Sequence, residues 1–249
     1  MNRFENQTVL VTGGSSGIGL AAAKAYANEG ARVVITGRDE QALARAKTEI
    51  GTGVIALTND ASNVEEAQRL AAALQAQDIQ LDVIFINAGM AKFAPLTDVS
   101  ESLWDETFNA NVKGPYFQIQ ALTTLLRPGA AIVINGSINA HIGMPNSSVY
   151  AASKAALISL AKTLSAELLP RGARVNVVSP GPISTPLYGK LGMDQATLEA
   201  TASAIQGQIP LGRFGTAEEL ASTVLHLSAK ESAFIVGSEF IVDGGMSNL

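Results

Sequence analysis

Apolar positions along this chain follow two rhythms. Short runs of β-branched or apolar residues, Thr8 to Val11, Arg32 to Thr36, Gly53 to Leu57, Val83 to Ile86, Ala131 to Asn135, Arg174 to Val178 and Glu239 to Val242, alternate with longer stretches of helical spacing. The pattern predicts strands separated by helices. In a run such as Val83, Ile84, Phe85, Ile86 every successive residue is apolar, so both faces of the strand need cover, as in a parallel sheet between two helical layers. The expected fold is α/β, a doubly wound domain on a seven-stranded parallel sheet. No internal repeat, low-complexity tract or Pro/Gly-rich linker marks a boundary, so residues 1–249 are expected to form a single domain. The one long irregular stretch, Ser179 to Gly207, reads as a substrate lid near residues 183–207.

Composition narrows the function classes. A domain of this length buries roughly 70 to 75% of its unfolded surface and needs no disulfide or metal to hold it. The chain has no cysteine, which removes disulfides and thiolate chemistry together and suits a reducing cytoplasm. The opening residues Met1 to Gln7 are polar, and no apolar run approaches the roughly 20 residues of a membrane span. A soluble cytoplasmic protein is expected. The 17 basic and 22 acidic side chains give a net charge of −5 with no basic tract, so neither nucleic acid nor membrane is an expected partner. Two separated histidines, His141 and His226, make no metal site. His141 follows Ser137 closely enough to reach a substrate, or else serves the loop surface.

The first strand runs straight into Thr12, Gly13, Gly14, Ser15, Ser16, Gly17, Ile18, Gly19, and an alanine-rich helix from Leu20 to Asn28 follows at once. Glycines in that setting permit a tight turn and close backbone approach to a pyrophosphate, while the helix start offers unpaired N–H groups and a favourable dipole. A Rossmann-like fold with a phosphate-binding turn is implied, and Gly13, Ser15, Ser16, Gly17, Ile18 and Gly19 become candidate cofactor contacts. The spacing, however, is Gly-x-x-x-Gly-x-Gly, not the Gly-x-Gly-x-x-Gly of the general dinucleotide fingerprint.

That spacing resembles the short-chain dehydrogenase/reductase superfamily, including its NADPH-dependent carbonyl reductases and 3-oxoacyl-carrier-protein reductases. Ordered matches continue through Asn87-Ala88-Gly89, Asn111 in Asn-Val-Lys-Gly, Ser137, Tyr150-Ala-Ala-Ser-Lys154, Pro180-Gly181 and Val242-Asp243-Gly244-Gly245. The resemblance implies that Asn87, Ala88 and Gly89 support the sheet beside a nicotinamide dinucleotide. It also implies that Pro180 and Gly181, with Ile183 and Thr185, lie near its nicotinamide. Two positions depart from the usual pattern: Ile86 stands where an asparagine is frequent, and Gly136 where a serine is frequent.

The cofactor's type is read at the end of the second strand. An enzyme using NAD places a carboxylate there for the adenosine ribose hydroxyls. Here the position is Gly37, followed by Arg38, whose planar fork of donors suits a 2′-phosphate. NADP(H) is the expected cofactor. Asp60 matches an acidic residue that in family members reaches the adenine edge, although it also stands where it would cap a helix beginning near Asn63.

Tyr150 and Lys154 are one helical turn apart, about 6 Å along the axis, and share a face. The ammonium is expected to favour the phenolate and so lower the tyrosine's pKa. Tyr150 is the candidate general acid/base and Ser137 the group that positions the substrate oxygen. The resemblance adds that Lys154 binds the nicotinamide ribose and that Asn111 holds water linking the lysine to solvent. Taken alone, Tyr-x-x-x-Lys is also what a solvated helical pair looks like; Ser137 and the glycine turn favour catalysis. The expected function is an NADP(H)-dependent oxidoreductase acting on a small-molecule carbonyl or alcohol.

Apolar lid residues Ile183, Leu187, Tyr188, Leu191 and Met193, with few charges beside them (Lys190, Asp194), favour a small or medium apolar ketone or aldehyde. The rival within the class is a 3-oxoacyl-carrier-protein reductase, with Arg127 and Arg171 as the basic residues available for an acidic carrier; a non-catalytic dinucleotide sensor is the rival outside it. Helices Val149 to Leu169 and Val112 to Leu126 are apolar around most of their circumference, and the resemblance implies a homotetramer that pairs such helices. Trp104, Phe108, Tyr116 and Phe117 are read as core or interface.

Overall fold

The computed structural model describes residues 2–185 and 194–249. Seven strands, β1 (Thr8–Val11), β2 (Arg32–Gly37), β3 (Ile55–Thr58), β4 (Leu81–Ile86), β5 (Leu126–Asn135), β6 (Arg174–Pro180) and β7 (Glu239–Val242), form one sheet in the order β3-β2-β1-β4-β5-β6-β7. Every pairing is parallel. The eight α-helices described are α1 (Gly17–Asn28), α2 (Glu40–Ile50), α3 (Val64–Gln75), α4 (Glu101–Phe108), α5 (Gly114–Leu122), α6 (Ser148–Leu168), α7 (Gln195–Gln206) and α8 (Ala217–Ser228).

Alternation along the central strands fills two cores. Val9 and Val11 of β1, Val33 and Ile35 of β2, and Val83 and Phe85 of β4 point to one face, where α1 and α8 bring Ala22, Tyr26, Leu220 and Val224. Leu10, Val34, Ile84 and Ile86 point to the other, against Leu70 and Leu74 of α3, Ile119 of α5 and Leu157 of α6. This is why the strands read as continuous apolar runs. At about 25 cal/mol per Å² of apolar area removed from water, the two layers together supply the dominant stabilising term. Strand order reverses between β1 and β4, and in such sheets ligands bind outside the carboxyl ends of the strands at that reversal.

Several boundaries differ from expectation. β5 begins at Leu126, because Leu126 pairs with Leu81 before a register shift; Arg127-Pro128-Gly129 is exposed and carries no apolar alternation to show it. The expected helix Val112 to Leu126 is broken into a π-turn at Asn109–Lys113, α5, and a 3₁₀ turn at Thr123–Leu125. Gly53 has φ +87° and belongs to a turn, so β3 starts two residues later. The stretch read as an irregular lid contains α7, whose first turn is capped by Asp194 accepting from Thr197 N at 3.0 Å. Leu187, Tyr188, Lys190, Leu191 and Met193 lie outside the described residues.

Candidate active site

A continuous cleft of about 2070 Å³ runs along the carboxyl ends of the strands. That is about twice the upper bound of roughly 1,000 Å³ for a single small-ligand pocket, room for a dinucleotide and a second molecule. At one end it is lined by Gly37, Arg38 and Asp60, in the middle by Gly13, Ser15, Ser16, Gly17 and Ile18, and at the other end by Ser137, Tyr150, Lys154 and Pro180.

The glycine turn is shaped by close packing. Gly13 has φ +64°, in the left-handed region, and a Cβ on Gly19 would stand 2.3 Å from the Gly13 carbonyl oxygen. Gly19 is thus packed tightly behind the turn and is not among the residues that line the cleft. Ser16 caps α1 without a side-chain hydrogen bond, and no acidic residue sits in the first turn. The α1 amides at the cleft are therefore left for an anion. Thr12 Oγ1 accepts from Asn87 N and Ala88 N, each at 2.9 Å, and Asn87 Nδ2 donates to the carbonyls of Thr12 at 3.0 Å and Gly13 at 3.3 Å. Asn87, Ala88 and Gly89 accordingly brace the turn and also line the cleft.

At the far end, Asn63 and not Asp60 caps α3, accepting from Glu65 N at 2.8 Å. Asp60 instead accepts from Ser62 N at 3.0 Å and Ser62 Oγ at 2.7 Å. Burial pushes its carboxyl up, but those two bonds and the charge of Arg38 outweigh burial and hold it below the ordinary range.

Ser137 lies two residues past the end of β5 and caps a 3₁₀ turn at Ile138–Ala140, its Oγ accepting from Asn139 N at 3.2 Å. Tyr150 and Lys154 project from α6, with the lysine nitrogen 5.8 Å from the tyrosine ring centroid. Lys154 is 5% exposed, and its ammonium donates to the main-chain carbonyl of Asn135 at 2.7 Å. Burial lowers its pKa to about 8. Burial likewise raises Tyr150, against a lowering hydrogen bond with Ser137. The expected net lowering of the phenol is therefore corrected for the protein alone: desolvation disfavours phenolate and ammonium alike.

Asn111 sits 1% exposed in the π-turn and does not line the cleft. Its side chain donates to Met90 O and Ser153 Oγ, each at 3.0 Å, and accepts from Met90 N at 2.9 Å. It ties α6 to the loop after β4. π-turns within helices recur at functional sites. Gly181 packs against Asp243, whose carboxylate is held by Gly245 N at 2.8 Å and Ser247 N at 2.7 Å; Gly181, Ile183 and Thr185 line the cleft. At the unusual Gly136, a Cβ would lie 2.4 Å from Ser179 Oγ, so a serine there would need rearrangement.

Some residues fall elsewhere. His141 pairs with Glu239 at 2.7 Å and does not line the cleft. Trp104 and Phe108 stack at 4.8 Å, with Trp104 46% exposed. Arg127 lies near the amino end of β5, 4.0 Å from Asp82, and Arg171 just precedes β6. Ten residues at about 3.3 Å each put Arg127 roughly 30 Å of chain from Ser137, so within one chain neither arginine flanks the catalytic end. Among the lining residues that the sequence reading did not single out are Phe93, which meets the Tyr150 ring edge-on at 5.6 Å, Asn139 and Asn135. Their only sequence signal is proximity to Gly89 and Ser137.

Comparison with known proteins agrees with this geometry. A family model described as enoyl-(acyl carrier protein) reductase matches residues 13–247. The chain is 32% identical over 251 residues to 2-(S)-hydroxypropyl-CoM dehydrogenase 3 of Xanthobacter autotrophicus, covering 99% of this chain and 98% of that one. A solved short chain dehydrogenase/reductase family protein is 38% identical with a TM-score of 0.85, covering 99% of this chain and 100% of its own. The Pseudomonas aeruginosa RhlG/NADP active-site complex is similar at 32% identity and a TM-score of 0.90, covering 98% and 97%.

Proposed function

The chain belongs to the short-chain dehydrogenase/reductase superfamily, a family of oxidoreductases that bind a nicotinamide dinucleotide, and from that premise we propose that it interconverts a carbonyl and an alcohol with NADP(H). The observation that carries the reading is the convergence of Ser137, Tyr150 and Lys154 at one end of the cleft whose middle is the glycine turn. The residues present fit such a cofactor: the α1 N-terminus and Gly13 accommodate a pyrophosphate, and Gly37 with Arg38 replaces a ribose carboxylate with a phosphate-binding fork. When bound, the cofactor supplies or accepts the hydride at the carbonyl carbon.

The side chains manage the proton. In reduction, the protonated phenol that burial favours at Tyr150 is the general acid, its O–H bond breaking as the proton passes to the carbonyl oxygen. Ser137, which lines the same end of the cleft as Tyr150, holds that oxygen and stabilises developing charge. Lys154, desolvated and, among the described residues, hydrogen-bonded to the main-chain carbonyl of Asn135, brings its positive charge to the resulting phenolate. Oxidation reverses each step.

Phe93, Ile142, Met144 and Ile205 line the catalytic end, which supports a small or medium apolar ketone or aldehyde as substrate without a carrier protein. Self-association into a homotetramer is part of the same reading: Ala152 and Ala155 of α6 are exposed, as is Trp104 of α4, and a partner helix would cover them. The test is a kinetic comparison of aryl and alkyl ketones, β-ketoesters and a 3-oxoacyl carrier protein with NADPH and NADH. Turnover of simple ketones with NADPH is expected. A large advantage for the carrier-linked substrate, lost on changing Arg127 and Arg171 to Glu, would replace this substrate reading, and cofactor binding without turnover across the panel would replace the enzyme with a sensor.

A further inference from the structure

Asn135 ends β5 beside Ser137 and Lys154, and its amide orientation is dictated from a distance. Asn87 turns its nitrogen toward two carbonyls, those of Thr12 and Gly13, so its oxygen must face the other way, where Asn135 Nδ2 donates to it at 3.0 Å. Flipping Asn87 would set oxygen against two carbonyl oxygens; flipping Asn135 alone would set oxygen against oxygen. The register brings the pair together, since Ile86 and Ile134 are partners and Asn87 and Asn135 are the next residues along. With its nitrogen committed, Asn135 Oδ1 is buried without a donor among the described residues. Its own carbonyl accepts from Lys154. Asn135 therefore stands between the glycine turn and the catalytic lysine, with one oriented acceptor unused and its residue lining the cleft.

A buried acceptor without a partner is costly, and such groups are rare unless they have a role. A ketone substrate offers only another acceptor at its reacting end, and the single hydroxyl proton of the alcohol is directed to Tyr150 in the proposed reaction. The adenosine-end residues Gly37, Arg38 and Asp60 follow β2 and β3, across the sheet from β5. What remains in reach of the catalytic end is the nicotinamide half of the dinucleotide, which carries ribose hydroxyls and a carboxamide N–H. We propose that Asn135 is a cofactor-binding residue whose Oδ1 accepts a hydrogen bond from a hydroxyl or amide donor of that half. The inference rests on the dinucleotide-dependent reading above.

Binding of three ligands to wild type and Asn135→Leu, measured by calorimetric titration, tests it without turnover. The ligands are NADPH, its acetylpyridine analogue, which lacks the carboxamide N–H, and 2′,5′-ADP, which lacks the nicotinamide half. The leucine variant is expected to weaken NADPH by about 3- to 10-fold, the worth of one hydrogen bond, and to leave 2′,5′-ADP within twofold. An equal weakening of the analogue assigns the donor to a ribose hydroxyl, and no weakening of the analogue assigns it to the carboxamide; either supports the proposal. Equal weakening of NADPH and 2′,5′-ADP would show that Asn135 acts only by bracing the glycine turn through Asn87, and unchanged NADPH affinity would show no contact; both overturn it. Asn135→Ala is the second variant if the leucine form does not fold. A wild type that binds 2′,5′-ADP but no NADPH overturns this inference, whereas a wild type that binds none of the ligands overturns the functional reading on which it rests.

Discussion

Replacing Gly37 with aspartate should turn an NADPH enzyme into an NADH enzyme, and the structure allows the size of the change to be worked out. Gly37 is outside the left-handed region, and a Cβ there would lie 3.2 Å from Ser15 Oγ and 3.4 Å from Leu43 Cδ2. Both neighbours are side-chain atoms, one of them a rotatable hydroxyl, so an aspartate needs only a shift of a few tenths of an ångström. If the wild type uses NADPH as proposed, a charge-assisted hydrogen bond from Arg38 to the 2′-phosphate would be worth about 1.5–3 kcal/mol, a preference for NADPH of about 10- to 150-fold. The new carboxylate would accept from two ribose hydroxyls at a similar value per bond and repel the phosphate. The ratio of kcat/KM for NADPH to that for NADH is therefore expected to fall by about 1,000-fold or more and to invert. Steady-state kinetics with both cofactors on one ketone measures it. Equal or better use of NADH by wild type would refute the reasoning, as would an aspartate variant that keeps the NADPH preference while melting at the wild-type temperature.

The remaining expectations concern the catalytic group and assembly. Tyr150→Phe removes the transferable proton with little loss of binding surface, so kcat should fall by about 100- to 10,000-fold with cofactor affinity within a few-fold; substantial turnover in stopped-flow assays would mean that another group is the acid. Burial holds Lys154 at about 8, below its ordinary 10.5, so the unfolded chain binds the extra proton and this group destabilises the native state by about 3 kcal/mol below pH 8, a cost relieved as pH rises from 8 to 10.5. Lys154→Met should thus raise Tm at pH 7, with the gain shrinking toward pH 10, while abolishing activity; no gain at pH 7 in calorimetry would contradict the burial cost. Ala155→Arg on the exposed face of α6 should dissociate the tetramer, and a monomeric wild-type mass by light scattering at micromolar concentration would rule out the assembly itself.

How much of this was legible in the chain depended on whether the cause was local. The apolar runs of β1, β2 and β4 announce a sheet covered on both faces because each residue's burial is written in its own side chain. The start of β5 was hidden because Arg127-Pro128-Gly129 is exposed and carries no apolar alternation. Helix Val112 to Leu126 looked continuous because neither the π-turn that buries Asn111 nor the strand that captures Leu126 disturbs the apolar spacing. At the site, Ser137, Tyr150 and Lys154 were readable from spacing, as was the glycine turn. The role of Asn135 was not, since it depends on the orientation of Asn87, 48 residues earlier in sequence. The direction of the Tyr150 shift was missed for a related reason: proximity to Lys154 is visible in sequence, whereas the desolvation that opposes it depends on how the surrounding elements pack.

Several features at or beside the cleft depart from the local rules of stability. Helices α2, α3, α4, α7 and α8 carry side-chain caps from Asp39, Asn63, Ser100, Asp194 and Thr216, while α1, which opens on the cleft, has none. Lys154 is buried without a carboxylate partner among the described residues, and Asn135 Oδ1 is buried without a donor. The π-turn interrupts the helix at Asn111, close to Lys154 and Gly89. The uncapped α1, Lys154 and Asn135 each cost free energy in the protein alone, and each leaves an unspent donor, charge or acceptor at or beside the cleft. Open groups of this kind along the ends of β1, β4 and β5 are what a binding site requires, because a ligand can recover only interactions that the fold has left open. A stabilising substitution is therefore expected to destroy function at Lys154, where an apolar residue suits the buried surroundings, and not at the helix caps, where stability and activity should fall together.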